Sequence, residues 1–175
     1  MLWFTADNHW GHANIIKYCK RPFASVYEMD EALVANWNTR VQPGDRVYHL
    51  GDVSFYRKPE ETRALLSRLQ GYIYLIRGNH DDKLPLERFV SVHDLYEIRH
   101  QSQRITLCHY AMRVWNRSHH GAFQLFGHSH GTLAGVGKSM DVGVDCNNYA
   151  PISFDEVAEL MGKRQAELVD HHGNQ

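Results

Sequence analysis

Five short apolar segments are each followed by aspartate, asparagine or histidine, and this repeated arrangement limits the folds open to the chain. The segments span residues 2–6, 46–50, 72–76, 104–108 and 123–126. The polar residues after them are Asp7 and His9, Asp52, Asn79 and His80, His109, and His128 and His130. Apolar runs of this length between turn residues are typical of buried strands. Because ligands bind beyond the carboxyl ends of strands in open α/β sheets, the pattern predicts one shared site.

Helical patterns separate several of these strands. Ser25 and Glu28 have capping-box spacing, and apolar residues then recur every four positions at Met29, Leu33 and Trp37. The sequence also predicts a helix that begins at Pro59 and closes at Gly71, a hairpin over residues 95–108, a last strand over 139–144 and a capped helix from Ser153. We expect a single domain over residues 1–175, with helices outside and sheet inside. A polar tail is expected from about residue 170.

Composition excludes several classes of protein. Hydrophobic residues make up 43% and charged residues 22% of the chain, which is typical of a globular rather than a disordered protein. The net charge of −1 provides no overall positive field for nucleic acid, although bound metal ions would add positive charge for a nucleotide. Cys19, Cys108 and Cys146 form no CxxC pair, and no apolar run reaches about 18 residues. Without a basic leader, the prediction is a cytoplasmic protein with no membrane partner.

The residue types of the shared site indicate metal binding. Imidazole and carboxylate ligands suit Mn²⁺, Fe or Zn²⁺, and seven candidate ligands are too many for one four-coordinate ion. They suit two ions that share a carboxylate and clamp the attacking and leaving oxygens at phosphorus. Gly51, Gly78 and Gly127 each precede a candidate ligand and allow close approach. Residue pairs two apart, as in 7 and 9 or 128 and 130, point the same way if the backbone is extended.

These motifs resemble a known family. Asp7-x-His9, Gly51-Asp52, Gly78-Asn79-His80-Asp81, His109 and Gly127-His128-x-His130 occur in the order of the calcineurin-like metallophosphoesterases. The resemblance runs from residue 2 to about 160, and segments 7–15 and 143–153 look like a small bacterial or phage branch. Ala111 departs from the family, in which proline is common at that position.

The resemblance implies a fold and a set of roles. The fold is an α/β, four-layer α/β/β/α sandwich of two mixed β-sheets flanked by helices. The implied ligands of a dinuclear centre are Asp7, His9 and His130 for the first ion, Asn79, His109 and His128 for the second, and Asp52 as a bridge. His80 is similar to the family's non-ligand histidine that assists the leaving group, and Asp81 is expected to orient it.

The predicted activity is hydrolysis of phosphoesters by a metal-activated water, with phosphodiesters favoured over monoesters. Mn²⁺ is the expected metal, with Zn²⁺, Fe and Ni²⁺ as alternatives, and the expected partner is a phosphoester such as a nucleotide or a nucleic-acid end. His12 and Arg21 lie near the first motif. Arg113 and Trp115 lie in the long segment after His109, where they could bind phosphate and a base or form a solvated loop. No sequence pattern indicates an oligomeric state.

Two other functions fit parts of the sequence. Residues 127–131 also spell G-x-S-x-G around Ser129, the nucleophile elbow of serine hydrolases, which requires a strand before it and a helix after it. The glycine-rich residues 132–137 are a poor helix start. The same fold can also serve as a non-catalytic scaffold after its catalytic residues are lost, but here every expected ligand is present.

Overall fold

The computed structural model describes residues 1–167 and 169, so the predicted polar tail lies outside the described residues. Within them nine strands occur, at β1 Leu2–Thr5, β2 Arg46–His49, β3 Tyr72–Ile76, β4 Val92–His93, β5 Leu95–His100, β6 Gln103–Cys108, β7 Phe123–Phe126, β8 Ser139–Asp141 and β9 Ile152–Ser153. The described α-helices are α1 Ala13–Tyr18, α2 Val26–Arg40, α3 Pro59–Leu66 and α4 Phe154–Gly162. Short 3₁₀ helices span Leu86–Arg88, Ser118–His120 and Val144–Cys146.

The strands form two mixed sheets. In the first sheet the order is β4-β3-β2-β1-β9, parallel except for the antiparallel β9. In the second the order is β5-β6-β7-β8, where β5 and β6 form an antiparallel hairpin and the other neighbours are parallel. This arrangement, with its flanking helices, confirms the predicted α/β fold.

The outer face of the first sheet is covered by α2 and α3. Met29, Leu33 and Trp37 of α2 are buried against Val47 and Leu75 of the sheet, so the predicted helical face is confirmed. Ser25 accepts a hydrogen bond from the Glu28 backbone N–H at 3.1 Å and so caps α2 as predicted. Each large apolar side chain buried in this way contributes about 1.5–3 kcal/mol.

A second core lies between the two sheets. Phe4 and Ile76 from the first sheet meet Leu107 and Leu125 from the second, and α4 adds three apolar side chains, Phe154, Val157 and Met161. Residues 109–122 connect β6 to β7 beside the second sheet. Gln124 holds this segment by donating to the Tyr110 carbonyl and accepting from the Met112 N–H.

Several local predictions were wrong. Helix α3 ends at Leu66, and Gly71 instead takes a left-handed φ of 89° just before β3. There a Cβ would lie 2.8 Å from the Val41 side chain. The last predicted strand ends at Asp141, because the chain then crosses to the first sheet, where the Val144 N–H donates to the Ala6 carbonyl. Among the described residues, no helix combines the length and the apolar character needed to span a membrane.

Candidate metal centre

The loops after β1, β2, β3, β6 and β7 bring all seven predicted ligands together at one edge of the two sheets. Asp7, His9 and His130 form one group whose ligand atoms lie within 4.8 Å of one another. The other group, within the same limit, consists of Asp52, His109 and His128. The Asn79 side chain joins the second group, because its Oδ1 is 3.0 Å from both His109 Nε2 and His128 Nδ1.

Asp52 lies between the two groups. Its Oδ2 is 3.6 Å from His9 Nε2, and its Oδ1 is 3.7 Å from His109 Nε2. One buried carboxylate therefore presents an oxygen to each group. This geometry allows Asp52 to be shared by two ions, as the resemblance implies.

The second group contains acceptor atoms that face one another. The Nδ1 atom of His109 is 2.7 Å from the Leu50 carbonyl oxygen, which only accepts, so Nδ1 must carry the proton in the neutral ring. Nε2 then has a lone pair that faces Asn79 Oδ1 at 3.0 Å and Asp52 Oδ1 at 3.7 Å. Acceptors do not stabilise one another, so a positive ion between them fits this donor set.

The first group contains buried atoms without hydrogen bonds. Asp7 Oδ1 and His9 Nε2 have no hydrogen-bond partner among the described residues, although both residues are almost fully buried. A buried polar group left without a partner costs about 1–3 kcal/mol. Such orphaned atoms at one place indicate a ligand, and a divalent ion fits them.

The backbone at the site is strained. Five predicted ligands have φ in the left-handed region: Asp7 at 58°, His9 at 54°, Asp52 at 56°, His128 at 66° and His130 at 47°. For residues with a Cβ this conformation costs roughly 1–2 kcal/mol each, and such strain clusters at functional sites. The expectation of extended backbone at residues 7–9 and 128–130 was therefore wrong, and residues 128 and 130 join different groups.

Two of the predicted glycines allow the loops to approach the ligand carboxylates. A Cβ on Gly78 would collide with the Asp52 side chain, and one on Gly127 would lie 2.8 Å from Asp7 Oδ2. The Gly127 loop also supplies the His128 N–H that donates to Asp7 Oδ2 at 2.8 Å. Glycine is needed at both positions because any side chain would displace a ligand.

Burial sets the ionisation of the site. Burial, together with the nearby Asp141 carboxylate, raises the pKa of Asp7 well above its usual range. Burial also lowers the pKa of His9 and of His109, which keeps both rings neutral and able to bind metal. A divalent cation would compensate the buried negative charge and use the neutral imidazoles.

His80 and Asp81 occupy different positions beside the ligands. His80 is exposed, its backbone N–H donates to Asp52 Oδ1 at 3.1 Å, and its ring lies 4.6 Å from that of Phe55. The Asp81 carboxylate is buried and accepts three backbone N–H groups, from Asp52, Val53 and Gly78. Asp81 therefore ties two ligand loops together, and no hydrogen bond joins it to His80 among the described residues.

The predicted substrate residues separate into two sets. His12 lies at the edge of the site, stacked on Phe55 at 4.0 Å and with Nδ1 3.4 Å from His9 Nδ1. The prediction for Arg21 as a substrate contact was wrong, because its side chain is 0% exposed and bonded to Asp145 and to backbone carbonyls. Its non-local partners could not be read from the sequence.

The segment after His109 brings a different aromatic residue to the site. Trp115 uses its N–H within the segment, on the Ala122 carbonyl at 2.9 Å, and Arg113 is an exposed residue of the same segment. Tyr110 instead packs its ring 4.8 Å from His128 and 5.0 Å from His109, and is 48% exposed. Its position directly after a ligand was the available signal, and sequence reasoning missed it.

The serine-hydrolase interpretation of Ser129 was wrong. Strand β7 precedes Gly127, but the next regular element in the described chain is strand β8. The turn after Ser129 closes with Thr132 N–H on the Ser129 carbonyl, and no helix follows. A nucleophile elbow needs that helix.

The two mixed sheets and their flanking helices define an α/β protein. The carboxylate and imidazole side chains gathered at one edge of the sheets form the donor set of a metal-dependent hydrolase. A family model of the calcineurin-like phosphoesterases matches residues 1–133, and the chain belongs to this family of metal-dependent phosphoesterases.

The chain is similar to one protein and one solved structure over most of its length, and to a phage protein over about half of it. The uncharacterized protein MJ1445 of Methanocaldococcus jannaschii is 35% identical over 170 residues, covering 93% of this chain and 92% of its own. The gene 66 protein of Mycobacterium phage L5 is 35% identical over 88 residues, covering 49% and 42%. The crystal structure of AQ665 from Aquifex aeolicus, a protein of unknown function, superposes with a TM-score of 0.76 at 26% identity, covering 91% and 98%.

Proposed function

We propose that this chain hydrolyses phosphoesters at a centre of two divalent ions and prefers phosphodiesters. The observation that supports the proposal most strongly is Asp52, whose two oxygens face two separate groups of ligand atoms. Family membership supports the reaction class. The number of ions and the preference for diesters are the proposal's own steps.

The proposed ligands fall into two sets, one for each ion, with one shared carboxylate. The proposed ligands of the first ion are Asp7, His9 and His130, those of the second are Asn79, His109 and His128, and Asp52 is shared. Nitrogen and oxygen ligands without a thiolate suit Mn²⁺, which we propose, with Zn²⁺, Fe and Ni²⁺ as alternatives. When bound, such ions supply Lewis-acid polarisation of a phosphoryl oxygen and of the attacking water.

His80 would act on the leaving group. Its ring is exposed beside Phe55, while its backbone N–H is fixed on Asp52, so the imidazole is held close to the ligands without being one of them. In its protonated form it can donate to the leaving oxygen. General acid catalysis of this kind contributes typically 10²–10⁴-fold.

The shape and lining of the site support a diester with a base attached. Asn79, His80 and His128 are exposed, so groups on both sides of a phosphorus atom have room. Tyr110 offers a half-exposed ring beside His128, and stacking of a base on such a ring is worth about 1–3 kcal/mol. We therefore propose a nucleotide diester or a nucleic-acid end as substrate, in the cytoplasm, where the free thiols of Cys19, Cys108 and Cys146 would stay reduced.

The test is an assay of metal-stripped protein reloaded with Mn²⁺, Zn²⁺, Mg²⁺ or Ni²⁺. The substrates are bis(p-nitrophenyl) phosphate as diester and p-nitrophenyl phosphate as monoester. We expect Mn²⁺-dependent turnover that favours the diester about tenfold or more in kcat/KM and is abolished by Asp52→Ala. Asp155→Asn is the control, because Asp155 is exposed at the start of α4 and lies beside Met1 and His100 rather than the ligands.

The outcomes separate the steps of the proposal. Faster hydrolysis of the monoester would overturn the diester preference alone. Tight metal binding with no hydrolysis of either ester would support the non-catalytic scaffold. Turnover that survives chelation but is blocked by serine-directed phosphonates would refute metal catalysis altogether.

A further inference from the structure

Asp145 connects two parts of the first ligand group. It lies in the short 3₁₀ helix Val144–Cys146, where the chain crosses from the second sheet to the first. Its side chain is 7% exposed, and its Oδ2 lies 2.7 Å from Nδ1 of His130. The same carboxylate also receives two hydrogen bonds from Arg21, Nε to Oδ1 and Nη2 to Oδ2, both at 2.8 Å.

Arg21 continues the connection to the Asp7–His9 turn. Its Nη2 also donates to the Asp7 carbonyl at 2.7 Å, and its Nη1 donates to the Asn8 carbonyl at 2.9 Å. The guanidinium is planar and presents its donors in a fixed fork. One fully buried side chain therefore links the Asp145 carboxylate to the backbone that carries two of the three ligands in this group.

The first consequence concerns the tautomer of His130. A carboxylate only accepts hydrogen bonds, so the bond to Asp145 places the ring proton on Nδ1 and leaves the lone pair on Nε2. A second partner that fixes a histidine in this way orients it for metal binding. His109 is fixed in the same way by the Leu50 carbonyl, so the second group does not depend on Asp145.

The second consequence concerns backbone strain. Asp7 and His9 have left-handed φ values of 58° and 54°, a conformation that persists only where surrounding contacts hold it. The two bonds from Arg21 to carbonyls of this turn are such contacts. Without them the Asp7 and His9 side chains would lose part of their preorganised position.

We propose that Asp145 and Arg21 are positioning residues that fix the metal-binding tautomer of His130 and hold the Asp7–His9 turn, so that they determine the affinity of the first ion and not the second. The proposal rests on the two-ion function proposed above. The sequence does not show that these two residues pair, because Arg21 and Asp145 are 124 positions apart.

The test compares Asp145→Ala, Asp145→Asn and Arg21→Lys with the parent protein. Mn²⁺ binding is measured by isothermal titration calorimetry, and the ring tautomers of the metal-free protein are read from ¹H–¹⁵N NMR of labelled histidine. We expect Asp145→Ala to weaken the first ion about 10–100-fold, to leave the second unchanged and to remove the Nδ1–H form of His130. Asparagine keeps an acceptor for His130 and should recover much of the tautomer.

Asp45→Asn is the matched control for a merely structural effect. Asp45 is 8% exposed and is likewise a buried acceptor, bonded to the Met1 amino group, the Trp3 indole N–H and the Gln42 N–H. We expect it to lower the melting temperature without changing either Mn²⁺ affinity or the His130 signals. Equal losses of both ions in the Asp145 and Asp45 variants would show that Asp145 acts only on stability.

The two proposals fail differently. If the parent protein binds no pair of ions, the proposed function fails, while the NMR of metal-free protein still tests the link from Asp145 to His130. An unchanged His130 tautomer in Asp145→Ala, or Arg21→Lys with full affinity for both ions, overturns the positioning role. Should Asp145→Ala not fold, Asp145→Asn and Arg21→Lys decide the question with the same two measurements.

Discussion

Replacing Asp7 by asparagine should stabilise the metal-free protein and remove the stabilisation that the first ion provides. The Asp7 carboxylate is buried with one unpartnered oxygen and lies near the Asp141, Asp52 and Asp145 carboxylates. The asparagine side chain would be nearly isosteric and uncharged, and its carbonyl could still accept the His128 N–H. Its amide would take the place of the orphaned Oδ1.

The expected gain in stability follows from the unpartnered carboxylate oxygen that the substitution removes. Relieving an unpartnered buried acceptor is worth about 1–3 kcal/mol, which for a chain of this size raises the melting temperature by roughly 2–12 °C. Because burial raises the pKa of Asp7, its contribution to stability is present below about pH 4 and is lost as the pH rises through the folded-state pKa. The advantage of Asp7→Asn should therefore be larger at pH 8 than at pH 5.

Bound Mn²⁺ should reverse the order of stability of the two proteins. At a Mn²⁺ concentration 1,000 times the dissociation constant of the first ion, that ion adds about 4.1 kcal/mol to the parent protein. This exceeds the advantage of Asp7→Asn in EDTA, and the variant should gain from the second ion only. Urea unfolding in EDTA and in Mn²⁺ measures both effects, with Asp155→Asn as an exposed control expected within about 0.5 kcal/mol of the parent. A variant less stable than the parent in EDTA, or equally stabilised by Mn²⁺, would refute the reasoning.

Three further predictions follow from single contacts. Gly78→Ala should displace the Asp52 carboxylate, lower stability by about 1–3 kcal/mol in urea unfolding and weaken both ions in calorimetry; unchanged binding would contradict it. His80→Ala should keep its metals but lose turnover by about 10²–10⁴-fold, and near-normal turnover would remove His80 from the mechanism. Burial lowers the pKa of His49 to about 3, so folding should lose stability as the pH falls from about 6.5 towards 3. Glutamine at this position can keep the hydrogen bond to Asn8, so His49→Gln should lose less stability than the parent over this pH range in urea unfolding. An equal loss of stability in the two proteins would contradict this prediction.

The candidate ligands could be predicted because each lies within four residues of the end of a strand. The apolar runs at 2–6, 46–50 and 72–76 identify parallel strands, and the carboxyl ends of such strands meet at one edge whatever the details of packing. Local sequence therefore predicted both the α/β fold class and the residues of the candidate metal centre. Side chains that reach the site from another element carry no such signal.

Arg21, Asp81 and strand β9 show what local sequence cannot supply, which is the partner of a side chain or strand. Arg21 has the appearance of a surface cation near the first motif, but its partner is 124 residues away, so its burial depends on the crossing of the chain between sheets. Asp81 follows His80 directly, yet its carboxylate turns inwards to three backbone N–H groups. Strand β9 has two residues and is defined only by its pairing with β1.

The most direct measurement is the structure of the Mn²⁺-loaded protein by crystallography with anomalous scattering from manganese. The account predicts two anomalous peaks about 3.5–4 Å apart, with Asp52 in contact with both and His130 bound through Nε2. A single peak, or two peaks that do not share Asp52, would contradict it.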